Sequence, residues 1–138
     1  MSRQLDEVLR GILGNDRVLR DEPMKNHTTF RVGGPARYFV SPKDSRELAA
    51  VLGACRRDGS PWFILGNGSN LLVSDRGFSG TVVDMGKGFT SIRVEGERIF
   101  AGAGLLLSQI APKALEAGLS GLEFAAGIPG SLGGAVVV

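Results

Sequence analysis

The stretch Ile64-Leu65-Gly66-Asn67-Gly68-Ser69-Asn70-Leu71-Leu72-Val73 sets two short apolar runs around five residues that are either glycine or small and hydrogen-bonding. The chain therefore enters and leaves a tight loop between two segments patterned as buried strands. Two readings of that loop compete. Asn-Gly is the strongest short signal for a two-residue hairpin turn. The alternative is a nest. Glycine adopts φ > 0 without steric cost and asparagine tolerates it, so successive N–H groups converge on one point and bind an anion. On that alternative Gly66 and Gly68 let a phosphate approach the main chain, and Ser69 and Asn70 add side-chain donors. The standard nucleotide loops fit poorly. The pentapeptide lacks the third glycine of a Rossmann fingerprint, and Gly80 to Lys87 misses the Walker A spacing by one residue, with Gly88 where Ser or Thr should hold magnesium.

Outward from this loop the periodicities assign the rest of the chain. Trp62 to Leu65 reads as the strand before it, and Leu71 to Val73, Thr81 to Met85, Ser91 to Val94 and Arg98 to Ala101 as short strands after it, with Gly or Asp turns between. Upstream, Ser41-Pro42-Lys43-Asp44 offers a cap, a first-turn proline and an acidic residue, so a helix is expected to open there. Its inner face is Leu48, Val51, Leu52 and Cys55, and Gly59 ends it. Ala36 to Val40 reads as a strand after the Gly33-Gly34-Pro35 turn. Residues 2 to 13 place Leu5, Val8, Leu9 and Ile12 on one helical face, and the polar run to Asn26 reads as a connector. A further helix is expected from Ser108 to Ala117, with Pro112 near its first turn or kinking it. Helices and strands without strict alternation point to an α+β fold.

Composition narrows the function classes. The 138 residues are 43% hydrophobic, enough for one domain or two small subdomains sharing a core. No apolar run approaches the roughly 18 residues of a spanning helix. The charged start MSRQLDEVLR lacks the apolar core of a signal peptide, so a cytoplasmic location without membrane partners is expected. The single cysteine, Cys55, reads as a buried structural thiol in a reducing compartment. A net charge of +2 on scattered basic residues carries little of a nucleic-acid binder's footprint. The 21 glycines are the outlier, and they cluster without a repeat period.

One of those clusters is a second loop of small residues. Ala126-Gly127-Ile128-Pro129-Gly130-Ser131 leads through Leu132 into Gly133-Gly134-Ala135, and a helix starting near Ser131 would aim free N–H groups and its positive end at a ligand. The other reading is a turn that packs backbone on backbone. Two such loops suit one extended anionic cofactor clamped from both sides, and a diphosphate fits that description.

Taken together and in order, NHTTFRVGGPA at 26 to 36, ILGNGSNLLV at 64 to 73, GFSG at 77 to 80 and GLEFAAGIPGSLGGAV at 121 to 136 resemble the UDP-N-acetylenolpyruvoylglucosamine reductase family over residues 22 to 136. The resemblance implies an FAD-binding domain of the p-cresol methylhydroxylase type, in which two small α/β subdomains hold non-covalent FAD. It divides the chain into an N-terminal helix and connector at 1 to 21 and an FAD-binding domain at 22 to 138. Leu65, Gly66, Asn67, Gly68, Ser69, Asn70 and Leu71 would then cradle the diphosphate. Ala126, Gly127, Ile128, Pro129, Gly130, Ser131, Gly133, Gly134 and Ala135 would line the flavin side. It further implies a cytoplasmic oxidoreductase of peptidoglycan synthesis. NADPH reduces the flavin, which passes hydride to the enolpyruvyl group of a UDP-sugar while a serine protonates the neighbouring carbon. The family's catalytic arginine, serine and glutamate have no match here, so no catalytic or metal residue is assigned. Because the sequence ends at Val138, before the family's Asn-Ala-Gly-Ala-Tyr-Gly segment, an FAD domain incomplete at its C-terminus and inactive alone is expected. Another FAD-dependent oxidase of the same superfamily, or a non-catalytic fragment, are the alternatives. His27 is expected to be solvated or capping, and Thr28-Thr29-Phe30 and Gly33-Gly34 to be architectural.

Overall fold

The computed structural model describes residues 3–68 and 71–137. In chain order its elements are α1 (Arg3–Leu13), β1 (Val18–Pro23), β2 (Pro35–Val40), α2 (Ser45–Asp58), β3 (Trp62–Leu65), β4 (Phe78–Asp84), β5 (Ile92–Glu95), β6 (Arg98–Ala101), α3 (Leu107–Glu116) and α4 (Leu132–Val137). Short 3-10 turns lie at Asn15–Arg17, Met24–Asn26 and Glu123–Gly127.

The first four strands form one sheet in the order β1-β2-β4-β3, with β1 antiparallel to β2 and with β2 and β3 both parallel to β4. As the strand between two parallel neighbours, β4 is covered on both faces, which is why Thr81, Val82 and Val83 can follow one another and all be buried. Their side chains alternate. Val83 joins Tyr38, Val40, Val51 and Cys55 on the helix side, and Val82 joins Phe39, Leu65 and Met24 on the other. Each such valine contributes roughly 1.5–3 kcal/mol relative to an exposed one.

On the helix side, α1 docks on α2 through Leu5, Leu9 and Leu13. The stripe is rotated from the expected one, for Leu13 joins it while Val8 stays 38% exposed. The expected start of α2 also moves. Ser41 and Pro42 are buried at the end of β2, and Asp44 is the N-cap, its carboxylate accepting the Glu47 N–H at 2.8 Å. Glu47 reaches back to the Lys43 N–H at 2.9 Å and to the Arg17 guanidinium at 2.6 Å, which together hold its carboxyl at about 2. Gly59, at φ 72, closes the helix.

The segment expected as a connector contains β1, which pairs with β2 from Val18↔Val40 to Pro23↔Pro35. Its charged sequence hides it, because an edge strand turns most of its side chains to solvent. Conversely, Leu71 to Val73 forms no strand. Leu71 and Val73 instead cover the second face of the sheet as irregular chain.

A second, smaller unit follows. The β5-β6 hairpin, α3, the 123–127 turn and α4 gather around Leu105, Leu107, Ile110 and Ala125, with Ile92, Ile99, Leu122 and Leu132 packed against them. Pro112 lies inside α3 without ending it. The result is an α+β fold of two small subdomains.

Candidate cofactor site

The Gly66–Gly68 loop leaves the end of β3, and its geometry decides between hairpin and nest. A hairpin would pair β3 with the residues just after the loop. The partner of β3 is instead β4, in parallel, from Trp62↔Thr81 to Leu65↔Asp84. The loop is therefore the start of a crossover connection, and Gly68 takes φ 71 within it. Among the described residues, the N–H groups of Gly66, Asn67 and Gly68 have no protein acceptor. Three consecutive unclaimed amides are what an anion needs. Ser69 and Asn70 lie outside the described residues.

The glycines in this loop are spaces for protein atoms. A Cβ on Gly68 would strike the His27 carbonyl oxygen, and one on Gly66 would strike the Ser131 hydroxyl. Their missing side chains thus let the loop nestle between the 27–29 turn and the second loop, while their N–H groups stay unclaimed.

That second loop brings a correction. The amides at the start of α4 are not free. Leu132 donates to the Leu105 carbonyl at 2.8 Å, Gly133 to the Ala103 carbonyl at 2.9 Å, and Gly134 to the Ser131 hydroxyl at 3.2 Å. The segment is stitched to the start of α3, with Ser131 bridged to Leu106. Its helical amides are therefore spent within the protein, and only the Gly130 and Ser131 N–H groups ahead of them have no acceptor among the described residues. Backbone-on-backbone packing accounts for Gly133, which abuts Ala103.

The two loops nonetheless meet. A cavity of about 580 Å³ is lined by Phe63, Ile64, Leu65, Gly66, Asn67, Gly68 and Leu71 from one side and by Ile128, Pro129, Gly130, Ser131, Gly134 and Ala135 from the other. Its side chains are almost all apolar, a setting for a flat ring. Ala126 and Gly127 sit in the neighbouring 3-10 turn.

Across the Leu65–Asn67 wall lies a second cavity, of about 850 Å³ and of different character. Lys25, His27, Thr28, Thr29 and Arg31 line it from the turn after β1, and Asp84, Gly86 and Lys87 from the end of β4. The charged groups of Lys25, Arg31 and Lys87 have no ion pair among the described residues. The Asp84 carboxylate is held by the Gly86 N–H at 2.9 Å and the Ser41 hydroxyl at 3.4 Å. The loop's free amides thus stand between an apolar chamber and a basic one. Sequence reasoning missed this basic wall. The one available signal was Lys25, Arg31 and Lys87 flanking the NHTTF and Gly-rich segments, and only the sheet order brings β1 and β4 ends together.

Of the two roles expected for His27, solvated or capping, it takes the second, its N–H closing the Met24–Asn26 turn onto the Met24 carbonyl, and its side chain is engaged as well. Its ring stacks on Phe39 at 4.0 Å between centroids, and its Nε2 lies 2.7 Å from a Glu22 carboxylate oxygen.

The FAD binding domain family matches residues 36–138. A UDP-N-acetylenolpyruvoylglucosamine reductase of Heliobacterium modesticaldum is 50% identical over 120 residues, covering 87% of this chain and 38% of that protein. The same-named protein of Clostridium novyi is 44% identical over 137 residues, covering 99% of this chain and 44% of its own length. Among solved structures, a UDP-N-acetylenolpyruvylglucosamine reductase from Thermus caldophilus aligns with TM-score 0.69 at 40% identity, over 87% of this chain and 41% of that one. p-Cresol methylhydroxylase aligns with TM-score 0.67 at 16% identity, over 84% of this chain and 25% of that one, a likeness of fold alone. The chain spans about two fifths of the length of the curated relatives it matches.

Proposed function

The chain belongs to the FAD-binding domain family, and from that premise we propose that its two glycine-rich loops hold FAD non-covalently for the NADPH-dependent reduction of UDP-N-acetylglucosamine enolpyruvate to UDP-N-acetylmuramate. That places it in peptidoglycan precursor synthesis and in the cytoplasm, with a UDP-sugar and NADPH as its small-molecule partners. The reductases named above support the reaction. The single observation that carries the cofactor reading is the run of unclaimed amides at Gly66–Gly68, set between an apolar chamber and a basic one.

FAD is a flat ring joined by a diphosphate to an adenosine, so it asks for an apolar slot and a concentrated source of N–H donors side by side. The residues present fit it. Amides from Gly66 to Gly68 would hold the diphosphate, with any contribution of Ser69 and Asn70 added to theirs. Leu65, Leu71 and the wall from Ile128 to Ser131, with Gly134 and Ala135, would exclude water from the ring. When bound, FAD supplies a two-electron carrier between a nicotinamide nucleotide and a carbon–carbon double bond. Neither loop contains a histidine or cysteine, so the chain offers no nucleophile for a covalent link there.

The test is a titration of the full chain with FAD, followed by visible absorbance and by acid precipitation. Saturable binding with a perturbed flavin spectrum, and release of all yellow colour to the acid supernatant, is the expected result. Absence of saturable binding overturns the cofactor reading, and flavin fluorescence remaining with the polypeptide on a denaturing gel overturns the non-covalent one. The reductase reading is tested in protein spanning the relatives' full length. There, NADPH oxidation that depends on UDP-N-acetylglucosamine enolpyruvate supports it, and oxidation indifferent to that substrate overturns it.

A further inference from the structure

We propose that His27 is a positioning residue for the amide cradle, fixing the conformation of Gly66–Gly68 through the backbone of residues 27–29. The inference rests on the FAD reading above and adds a residue whose own carbonyl meets Gly68 and whose side chain is tied to the sheet.

Gly68 is the point at which the cradle is gripped. Its Cα face lies against the His27 carbonyl, close enough that no Cβ fits, and its own carbonyl accepts the Thr29 N–H at 3.1 Å. The far end of the same connection is held by the same segment, where the Gly34 N–H donates to the Ser74 carbonyl at 2.8 Å. A loop whose three amides must point at one anion loses affinity if it samples other shapes, so whatever immobilises residues 27–29 also sets the cradle.

His27 is what immobilises them. Its side chain reaches two strands at once: the ring stacks on Phe39 of β2, which is 2% exposed, and Nε2 meets Glu22 of β1 at 2.7 Å. That separation is in the range of charge-assisted hydrogen bonds. Its backbone N–H closes the preceding 3-10 turn onto the Met24 carbonyl at 2.9 Å, and the next residue, Thr28, is buried with its hydroxyl donating to the Val32 carbonyl at 3.2 Å. A histidine that merely capped the turn would need none of the contacts to β1 and β2. The sheet, through His27, thereby orients a loop that leaves from β3.

The experiment compares FAD with riboflavin, which carries the ring without the diphosphate, on the full chain and on His27→Ala. The variant is expected to bind FAD about tenfold more weakly, the size of effect that loss of a charge-assisted anchor and a ring stack produces. Riboflavin affinity should stay near the parent's, while the thermal midpoint of the cofactor-free protein falls somewhat, because the Phe39 stack and the Glu22 hydrogen bond belong to the fold itself. His27→Gln, which keeps a donor for Glu22, should recover part of the loss. Equal FAD affinity in parent and His27→Ala overturns the inference, and so does an equal loss for FAD and riboflavin, which would mark a general packing defect. Should His27→Ala be insoluble, Glu22→Gln carries the same comparison with the ring stack intact. If the parent itself binds no FAD, the cofactor reading fails instead.

Discussion

Gly66–Gly68 and Gly130–Gly134 are both glycine-rich, and the amides of Gly66–Gly68 and of Leu132–Gly134 do opposite things. In the first, three successive amides have no acceptor among the described residues, while Gly68's carbonyl and Cα are gripped by the 27–29 turn. In the second, the amides of Leu132, Gly133 and Gly134 are all consumed by the Leu105 and Ala103 carbonyls and the Ser131 hydroxyl. Glycine density therefore marks close approach of backbones without saying whether the approaching group is a ligand or the protein itself. The difference has a topological cause. The first loop departs from the end of a strand into a crossover, where no neighbouring strand runs alongside to claim its donors. The second runs beside the chain that enters α3 and is bridged to it at Leu106 and Ser131.

The strongest way to break this comparison is Gly68→Val. The residue sits at φ 71, which a β-branched side chain rarely adopts, and its Cβ would strike the His27 carbonyl. Backbone strain and collision together should cost about 3 kcal/mol or more in the cradle's bound conformation, read as at least roughly a hundredfold loss of FAD affinity. Undiminished FAD binding would mean that the loop's shape does not matter to the ligand.

Gly66→Ala should act through a different neighbour. Its methyl group meets the Ser131 hydroxyl, an overpacking of about 1–2 kcal/mol. Because the obstacle is a side-chain end, Ser131→Ala in the same chain should restore roughly 1 kcal/mol of FAD binding, a coupling measurable in a double-mutant cycle. Strict additivity would show that the two loops do not touch as described.

Ser131→Ala alone sharpens the contrast. It removes the acceptor for the Gly134 N–H, so folding stability should fall by about 1 kcal/mol, while FAD affinity changes by less than about threefold. A large affinity loss at unchanged thermal midpoint would instead assign the second loop's polar groups to the ligand.

The smallest effect lies away from both loops, at the Arg17–Glu47 pair. The Arg17 guanidinium and the Lys43 N–H hold the Glu47 carboxyl at about 2, below its ordinary value of 4.5. A depressed carboxyl contributes stability above its unfolded value and loses it as pH falls toward the folded one. The contribution should thus disappear between pH 4.5 and about 2, and it is modest because Glu47 and Arg17 remain 13% and 30% exposed. Glu47→Gln should flatten that part of the stability–pH curve and leave FAD binding at neutral pH unchanged. An acid limb that persists in Glu47→Gln would place its cause elsewhere.

Local patterns determined much of this molecule. The strands Trp62–Leu65 and Arg98–Ala101, the stop of α2 at Gly59 and both glycine-rich segments are legible in the amino-acid order, because apolar period, capping residues and missing side chains act over a few neighbours. The family resemblance carried the cofactor for the same reason, since it resides in short motifs. What required the tertiary structure was every property set by residues far apart in the chain. That Asn67-Gly68 is no hairpin follows from β3 choosing β4 as its parallel partner. That a charged segment is a strand follows from β2 supplying its hydrogen bonds. Which amides remain free is decided by carbonyls at Ala103 and Leu105, and the anchoring of His27 by Glu22 and Phe39. Hydrogen-bond donors are identical at every residue except proline, so a sequence states where they are and only the folded chain determines which are already taken.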